Sequence, residues 1–169
     1  MNTPKVSELW VPDEGSARDE HFMGIALRAA AEAYEREEVP VGAVIVLGQR
    51  VLSIASNRCE ELHDPTAHAE MLAVTEACSV LDLGRLVDCE VYCTLEPCFM
   101  CAGALLHARI ARIVFGARDP KFGACRSLAT LPEDERLNHR CSVTEGVHKD
   151  VAADLMRAFF RERRGGNEG

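Results

Sequence analysis

Metal-binding side chains occur in two short stretches of the sequence. The first is His68-Ala69-Glu70, and about thirty residues later Pro97 precedes Cys98-Phe99-Met100-Cys101. Cys98 and Cys101 are three positions apart, so on a helix both sulfurs lie on the same side. One imidazole and two thiolates suit zinc, and three protein ligands leave a fourth position for water. The pattern predicts one Zn²⁺ per chain, bound by His68, Cys98 and Cys101.

Glu70 supplies a carboxylate close to this predicted metal. Both ligand groups fall at predicted helix starts, where partial positive charge favours a thiolate. Positions i and i+2 of a regular helix point to different sides, but at a first turn His68 can project from the end while Glu70 reaches the water. A hydrolysis at such a metal needs a group that takes a proton from the water and a group that delivers protons to the substrate. One carboxylate can perform both tasks.

The alternative is a purely structural zinc site, which would want a fourth protein ligand. His63, His107 or Cys93 could serve, and the sequence leaves this open. A lone Cys-x-x-Cys or a lone His-x-Glu is weak evidence. Both together, in this order and with proline before the first cysteine, form the pattern of zinc-dependent deaminases that act on nucleobases.

The hydrophobic pattern predicts the elements that must position these residues. Apolar side chains recur at helical spacing, and short apolar runs between turn residues indicate strands. The predicted helices span about 22–38, 66–81, 97–108 and 148–164, with Thr66 as a helix cap, and the predicted strands span 41–47, 51–55, 90–95, 112–117 and 141–145. Residues 57–66 are expected to form a loop and 118–138 an irregular segment. The order favours a mixed sheet packed between helices.

Length and composition limit the class of protein. The chain has 169 residues, a size that suggests a single domain. We expect a flexible acidic extension over 1–17, the zinc-dependent domain over 18–164 and a flexible tail over 165–169. The sequence contains no apolar run that could span a membrane and no apolar segment of a secretion signal. Its eight cysteines then indicate a reducing, cytoplasmic location.

The charge is unevenly distributed along the chain. The net charge is −8, but residues 1–38 hold nine acids and four bases, which accounts for five of the eight excess negative charges. Two later segments are basic, comprising Arg109, Arg112, Arg118, Lys121 and Arg126, then Arg157, Arg161, Arg163 and Arg164. Local charge decides whether a phosphate backbone can dock. These side chains either bind nucleic acid or simply solvate the surface.

Several stretches of the sequence resemble bacterial tRNA-specific adenosine deaminases, from about residue 20 to residue 164. They are Val39-Pro40-Val41-Gly42-Ala43, Asn57-Arg58, His63 to Glu70, Thr94 to Ala104, Gly116 to Asp119, and Phe159-Phe160-Arg161. The resemblance departs from the family at Phe99, where a smaller aliphatic residue is common, and in the acidic extension.

The resemblance implies a cytidine-deaminase-like α/β fold, a three-layer α/β/α arrangement with a five-stranded mixed sheet. It implies conversion of adenosine to inosine at the wobble position (34) of a tRNA anticodon, within the anticodon stem-loop, by a homodimer. It gives His68, Cys98 and Cys101 as zinc ligands and Glu70 as the catalytic proton shuttle.

The resemblance also suggests which residues contact the substrate. It matches Asn57 to the residue that reads the target base, although a turn-forming asparagine is an equally good reading of the sequence alone. Ala69, Asp119, Lys121, Phe159 and Arg161 are further candidates for substrate contact. Phe159 shares a helix face with Leu155 and could instead belong to the core.

Two other functions remain compatible with the sequence. A deaminase of free bases or nucleosides, such as guanine or deoxycytidylate, would share the zinc motif but would not need the basic segments. A non-catalytic, zinc-stabilised RNA-binding module would have no use for the carboxylate of Glu70. Ammonia release from tRNA, adenosine, cytidine and guanine would separate these readings.

Overall fold

The computed structural model describes residues 15–166, which form one mixed sheet with helices on both faces. The helices are α1 (Ser16–Glu35), α2 (Cys59–Leu62), α3 (Ala69–Leu81), α4 (Phe99–His107) and α5 (Lys149–Gly165), and Leu131–Glu133 form a short 3-10 helix. The strands are β1 (Gly42–Leu47), β2 (Arg50–Ser56), β3 (Cys89–Leu95), β4 (Arg112–Ala117) and β5 (Ser142–Glu145). The predicted α/β/α fold class with a five-stranded mixed sheet is confirmed.

The strand order is β2-β1-β3-β4-β5. β1 pairs antiparallel with both β2 and β3, whereas β3, β4 and β5 are mutually parallel. The turn at Gly48-Gln49 joins β1 to β2, as the sequence predicts, and Gly48 has the positive φ of 60° that such a turn favours. α3 connects β2 to β3, and α4 forms the crossover between β3 and β4.

Alternate side chains of the central strands enter two separate cores. Val44, Tyr92 and Val114 pack with Phe22 of α1 on one face. On the opposite face lies a larger core to which α3 and α4 contribute. Gly42 allows β1 to approach α1 closely, because a Cβ at this position would lie 1.9 Å from the carbonyl oxygen of Ala26.

A network of ion pairs joins α1 to the amino ends of β3 and β4. Arg112 contacts both carboxylate oxygens of Asp19, at 2.6 and 2.9 Å, and Glu90 at 2.9 Å. Arg18 donates to the hydroxyl of Tyr92 at 2.8 Å, and Tyr92 donates to Asp19 at 2.9 Å. Burial alone would raise the pKa of Asp19, but the hydrogen bonds from Arg112 and Tyr92 lower it. The network therefore holds its carboxylate ionised at one edge of the sheet.

Some predicted boundaries were wrong. The first helix ends at Glu35 rather than near residue 38, because Glu37 adopts a positive φ of 63°. α2 lies within the stretch expected to be a loop. α3 begins at Ala69 and not after Thr66, because His68 still has an extended backbone with a ψ of 151°. Thr66 instead belongs to the preceding turn, where its hydroxyl donates to Asp64 at 2.7 Å.

The ends of the chain lie partly outside the described residues. Residues 1–14 of the proposed extension and 167–169 of the proposed tail are not described, and the domain limits at 18 and 164 remain predictions. Between residues 15 and 166, no helix has the length and apolar character needed to cross a membrane. All eight cysteines are free thiols.

Candidate active site

His68, Cys98 and Cys101 converge at the edge of the sheet where β3 ends. The Nδ1 atom of His68 lies 3.7 Å from the sulfur of Cys98 and 3.5 Å from that of Cys101. The three donor atoms lie within 4.8 Å of one another. The structure therefore brings together all three ligands that the sequence analysis selected.

The ligands are held by the first turns of two helices. His68 immediately precedes α3 and Cys98 immediately precedes α4, and both have extended backbone conformations. Cys101 is the third residue of α4. Unpaired backbone N–H groups give a helix start a partial positive charge, which favours thiolates there.

The donor set fits a tetrahedral zinc ion. With Zn–N of about 2.1 Å and Zn–S of about 2.3 Å, tetrahedral angles require nitrogen–sulfur distances of about 3.6 Å. The observed 3.5 and 3.7 Å bracket this value. Among the described residues, the cluster comprises only these three side chains, so none of His63, His107 and Cys93 completes it as a fourth ligand. This arrangement matches the open coordination of catalytic zinc sites.

Hydrogen bonding within the cluster favours a thiolate. Hydrogen bonds from Cys101, which has the larger effect, and from His68 lower the pKa of Cys98 to about 4. The same hydrogen bond raises the pKa of Cys101, whose thiol is the donor. The bond to Cys98 also raises the pKa of His68. The side chains of the site thus stabilise the thiolate of Cys98 even without a bound cation.

Glu70 is the second residue of α3 and is only 4% exposed. Burial raises the pKa of its carboxyl to about 7. Its side chain lies within hydrogen-bonding reach of Cys101, which places it beside the metal-binding cluster. A carboxyl group with a pKa near neutrality can both accept and donate a proton at modest cost.

The loop before α3 is shaped by Asp64, which the sequence analysis did not select. The carboxylate of Asp64 accepts hydrogen bonds from the backbone and side chain of Thr66, and its carbonyl accepts from Ala67 at 3.1 Å. Arg58 donates its backbone N–H to Ala67 at 3.1 Å. These bonds fold the end of β2 against the residue before His68. An Asp-Pro-Thr sequence is a recognisable turn signal, and could have predicted this role.

Asn57 and Ala69 are both buried next to the metal-ligand segment. Asn57 follows β2, is 7% exposed and donates its backbone N–H to Val41 at 3.1 Å. The thiol of Cys59 contacts its side-chain oxygen at 3.9 Å. Ala69 is fully buried in the larger core at the start of α3.

Asp119 and Lys121 lie in the loop after β4. The Oδ1 atom of Asp119 accepts the backbone N–H groups of Lys121 at 3.0 Å and Phe122 at 3.3 Å. Asp119 therefore stabilises a turn, and Lys121 is exposed on it. Two residues farther along, Gly123 forms a β-bridge with Cys98, so this loop borders the metal-binding cluster.

The closing helix α5 packs against the end of α1. Phe159 is 4% exposed and packs against Tyr34, with ring centroids 5.6 Å apart. Tyr34 lies at the end of α1, just before the start of β1. The structure thus places Phe159 between two helices, whereas Phe160 and Arg161 are exposed.

Two further buried carboxylates that hold neighbouring segments were missed. Glu96 is 1% exposed at the end of β3, where it accepts hydrogen bonds from several residues of the loop after β4. Glu38 is also 1% exposed and accepts the backbone N–H of Glu61 in α2 at 2.8 Å. Charged residues at the ends of apolar runs were the only sequence signal for these roles.

Comparison with known proteins identifies the family. Residues 16–117 match the family model for the cytidine and deoxycytidylate deaminase zinc-binding region. The chain belongs to this deaminase family. His68, Cys98 and Cys101 lie within the matched residues and are positioned as a possible site for the zinc of this family.

Within this deaminase family, the chain is similar to curated tRNA-specific adenosine deaminases. That of Agrobacterium fabrum is 46% identical over 144 residues, covering 85% of this chain and 95% of the relative. That of Aquifex aeolicus is also 46% identical, over 145 residues, covering 86% and 95%. The similarity extends beyond the zinc motif to nearly the whole domain.

Solved structures agree with this placement. A structure from work on A-to-I editing by tRNA:A34 deaminases at the wobble position is 44% identical to this chain, with a TM-score of 0.77. The match covers 80% of this deaminase and 98% of that structure. A guanine deaminase from Nitrosomonas europaea is 23% identical with a TM-score of 0.75, covering 91% of this chain and 89% of its own, and supports the shared fold alone.

Proposed function

We propose that this enzyme hydrolyses adenosine to inosine and ammonia at the wobble position of a tRNA anticodon. The observation that carries the proposal is the 46% identity, over 144 residues, to a tRNA-specific adenosine deaminase. The A34 deaminase structure, at 44% identity, supports the same substrate position. The open zinc site beside a buried carboxyl group supplies the chemistry that such a reaction requires.

The side chains of the site divide the reaction between them. When bound, zinc supplies a Lewis acid at which water becomes a stronger nucleophile. Glu70 takes the proton of the water that attacks C6 of adenine and delivers it to the ring nitrogen N1. The same carboxyl group then takes the proton of the hydroxyl now on C6 and transfers it to the amino group. The C6–N bond breaks as the C6=O bond forms, and the amine leaves as ammonia. A pKa of about 7 suits Glu70 to both directions of transfer.

We infer that Asn57 reads the target base through its carboxamide. Its burial at the end of β2 leaves little room for bulk water around it. A carboxamide can donate and accept hydrogen bonds at once, as recognition of a base edge requires. Ala69, the buried residue between His68 and Glu70, would line the same pocket through its backbone and small side chain.

The exposed cations Lys121 and Arg161 are the proposed contacts to the RNA backbone. Proteins recognise RNA sequence mainly in unpaired loops, because the grooves of A-form helices hide the base edges. An anticodon loop adenine is already unpaired, which lowers the few kcal/mol that flipping a base usually costs. We assign Asp119 and Phe159 supporting roles, since Asp119 shapes the turn of Lys121 and Phe159 holds α5 in place.

The test is an inosine assay on a tRNA transcript with adenine at position 34. We expect conversion at this position and none in a matched transcript with guanine there. The Glu70→Gln variant should be inactive, while Glu76→Gln, an exposed carboxylate on the same helix, should match the unmodified enzyme. Rapid ammonia release from free guanine, adenosine or cytidine, with no inosine in the transcript, would contradict the substrate and leave the deaminase chemistry intact.

We further propose a cytoplasmic homodimer, as in the family that the chain resembles. Support comes from α4, whose outward stripe is mostly apolar, comprising Phe99, Met100, Gly103, Ala104 and His107. A Cβ added at Gly103 would meet no atom within 4 Å, so this face is open to a second copy. Light scattering should give twice the monomer mass, and Gly103→Arg should reduce it. A monomeric unmodified protein would contradict the assembly.

A further inference from the structure

The buried carboxylate of Glu96 has an unusual set of partners. It is 1% exposed, and within residues 15–166 it forms no ion pair with lysine, arginine or histidine. Its hydrogen-bond donors all belong to the segment 118–128, which we call the rim loop. A carboxylate out of contact with water is stable only when such donors compensate its charge.

The carboxylate of Glu96 holds both ends of the rim loop. Oε1 accepts the backbone N–H groups of Cys125, Arg126 and Ser127 at 3.2, 2.6 and 2.8 Å. Oε2 accepts the N–H of Asp119 at 2.9 Å and the hydroxyl of Ser127. One side chain at the end of β3 thus fixes both the beginning and the end of a loop that has little regular structure.

This loop is pressed against the metal-binding helix. Ala124 donates its N–H to the carbonyl of Pro97 at 2.9 Å, and Gly123 forms a β-bridge with Cys98. A Cβ at Gly123 would lie only 2.2 Å from Oε2 of Glu96, so the loop passes over the carboxylate with no space between them. Glu96, Pro97 and Cys98 therefore connect the rim loop directly to a zinc ligand.

The tip of the rim loop presents groups suited to single-stranded RNA. Lys121 is exposed, and Phe122 is 66% exposed, the highest fraction among the described large apolar side chains. A cation can contact phosphate, and an exposed ring offers a surface on which an unpaired base can stack. Both lie within three residues of Gly123, which contacts the metal-ligand segment.

We propose that Glu96 is a positioning residue for RNA recognition. Its carboxylate fixes the rim loop so that Lys121 and Phe122 flank the entrance to the metal site. The inference rests on the proposed function, because it concerns how the same site holds a tRNA loop. Glu96 acts through the rim loop and does not itself contact the substrate.

Glu96→Gln tests this role with the smallest change of shape. The retained carbonyl oxygen can continue to accept the three N–H groups of residues 125–127. The new NH₂ group then faces the backbone N–H of Asp119, and two donors cannot form a hydrogen bond with each other. The Ser127 hydroxyl can rotate and accept a hydrogen bond from the NH₂ group. The variant therefore releases the Asp119 end of the rim loop and keeps the other end.

The expected result is a change in KM with little change in kcat. With an A34 anticodon stem-loop as substrate, KM should rise about tenfold and kcat should change less than about twofold, as when binding is lost equally in ground and transition states. Zinc content should stay at one per chain, and amide exchange should accelerate only at residues 119, 121 and 122. A merely structural defect would instead lower kcat through loss of folded enzyme and leave KM unchanged.

Glu133→Gln is the matched control, since it changes an exposed carboxylate that pairs with the side chain of Arg126 at 3.0 Å. Its KM should equal that of the unmodified enzyme. If Glu96→Gln does not fold, Ser127→Ala removes only the hydroxyl bond to Oε2 and should raise KM about twofold.

An unchanged KM in the folded variant, or loss of its zinc, overturns the role of Glu96 alone. An unmodified enzyme that is inactive on the stem-loop overturns the proposed function and this inference together.

Discussion

Asp19→Asn should destabilise the protein without impairing its chemistry. The substitution keeps Oδ1, which accepts from Arg112 at 2.9 Å, but replaces Oδ2, which Arg112 contacts at 2.6 Å, by an amide donor. A hydrogen bond to a charged group contributes about 1.5–3 kcal/mol. The side chain of Arg112 is 26% exposed and retains Glu90, so we expect a loss of about 2 kcal/mol.

The assay is thermal unfolding of the zinc-loaded protein at neutral pH. At about 2–4 °C per kcal/mol for a chain of this size, the midpoint should fall by about 4–8 °C. Asp154→Asn is the matched control, because it breaks an aspartate–arginine contact whose side chains are 71% and 66% exposed. That control should leave the midpoint unchanged, and both variants should keep normal kcat well below the transition.

The stabilising effect of Asp19 should depend on pH in one direction. Because the pKa of Asp19 is lowered in the folded state, its ionisation stabilises the protein above the unfolded value of about 3.9. This stabilisation is lost as the pH falls through the lower, folded value. The gap between the variant and the unmodified protein should therefore narrow below about pH 4. An equal gap at all pH values, or no gap at neutral pH, would refute the reasoning.

Four further outcomes follow from the site and the fold. Glu70→Gln should lower kcat by about 10²–10⁴-fold with one zinc retained, and a variant with a tenth of normal activity would contradict the proton shuttle. Cys101→Ala should lose most of the zinc by metal analysis, and full occupancy would exclude Cys101 as a ligand. Gly42→Ala should lower the unfolding midpoint strongly, because the new methyl would overlap the carbonyl of Ala26, whereas Gly48→Ala, with open space around it, should cost less. Lys121→Glu should weaken RNA binding and reduce the slope of log affinity against log salt concentration by about the value of one phosphate contact. An unchanged slope would show that Lys121 does not contact the RNA backbone.

The chemistry of the site could be predicted from sequence because it depends on rare residue types at short spacing. His68, Cys98 and Cys101 are the kinds of side chain that bind zinc, and two of them are separated by a single helical turn. The prolines before each group marked turns, so their place near helix starts followed. Apolar periodicity likewise predicted α1, α3, α5 and the five strands.

What the sequence did not reveal depends on contacts between distant segments. Glu96 looked like an ordinary polar residue before a proline, and its role became visible only when the segment after β4 folded over it. That segment has no periodicity, so its path could not be predicted. The start of α3 was misplaced because Asp64 accepts hydrogen bonds from Thr66 and Ala67, and the resulting turn delays the helix to Ala69.

The zinc ligands bracket β3, with His68 before the strand and Cys98 after it. A bound ion therefore ties together segments about thirty residues apart, and the site exists only in the folded chain. Its binding free energy adds to the stability of the fold, which for domains is typically only about 5–15 kcal/mol. Zinc deficiency should thus lower the amount of the protein as well as its activity. The apo chain unfolds more often and is then degraded by proteases, so cellular abundance should follow zinc supply.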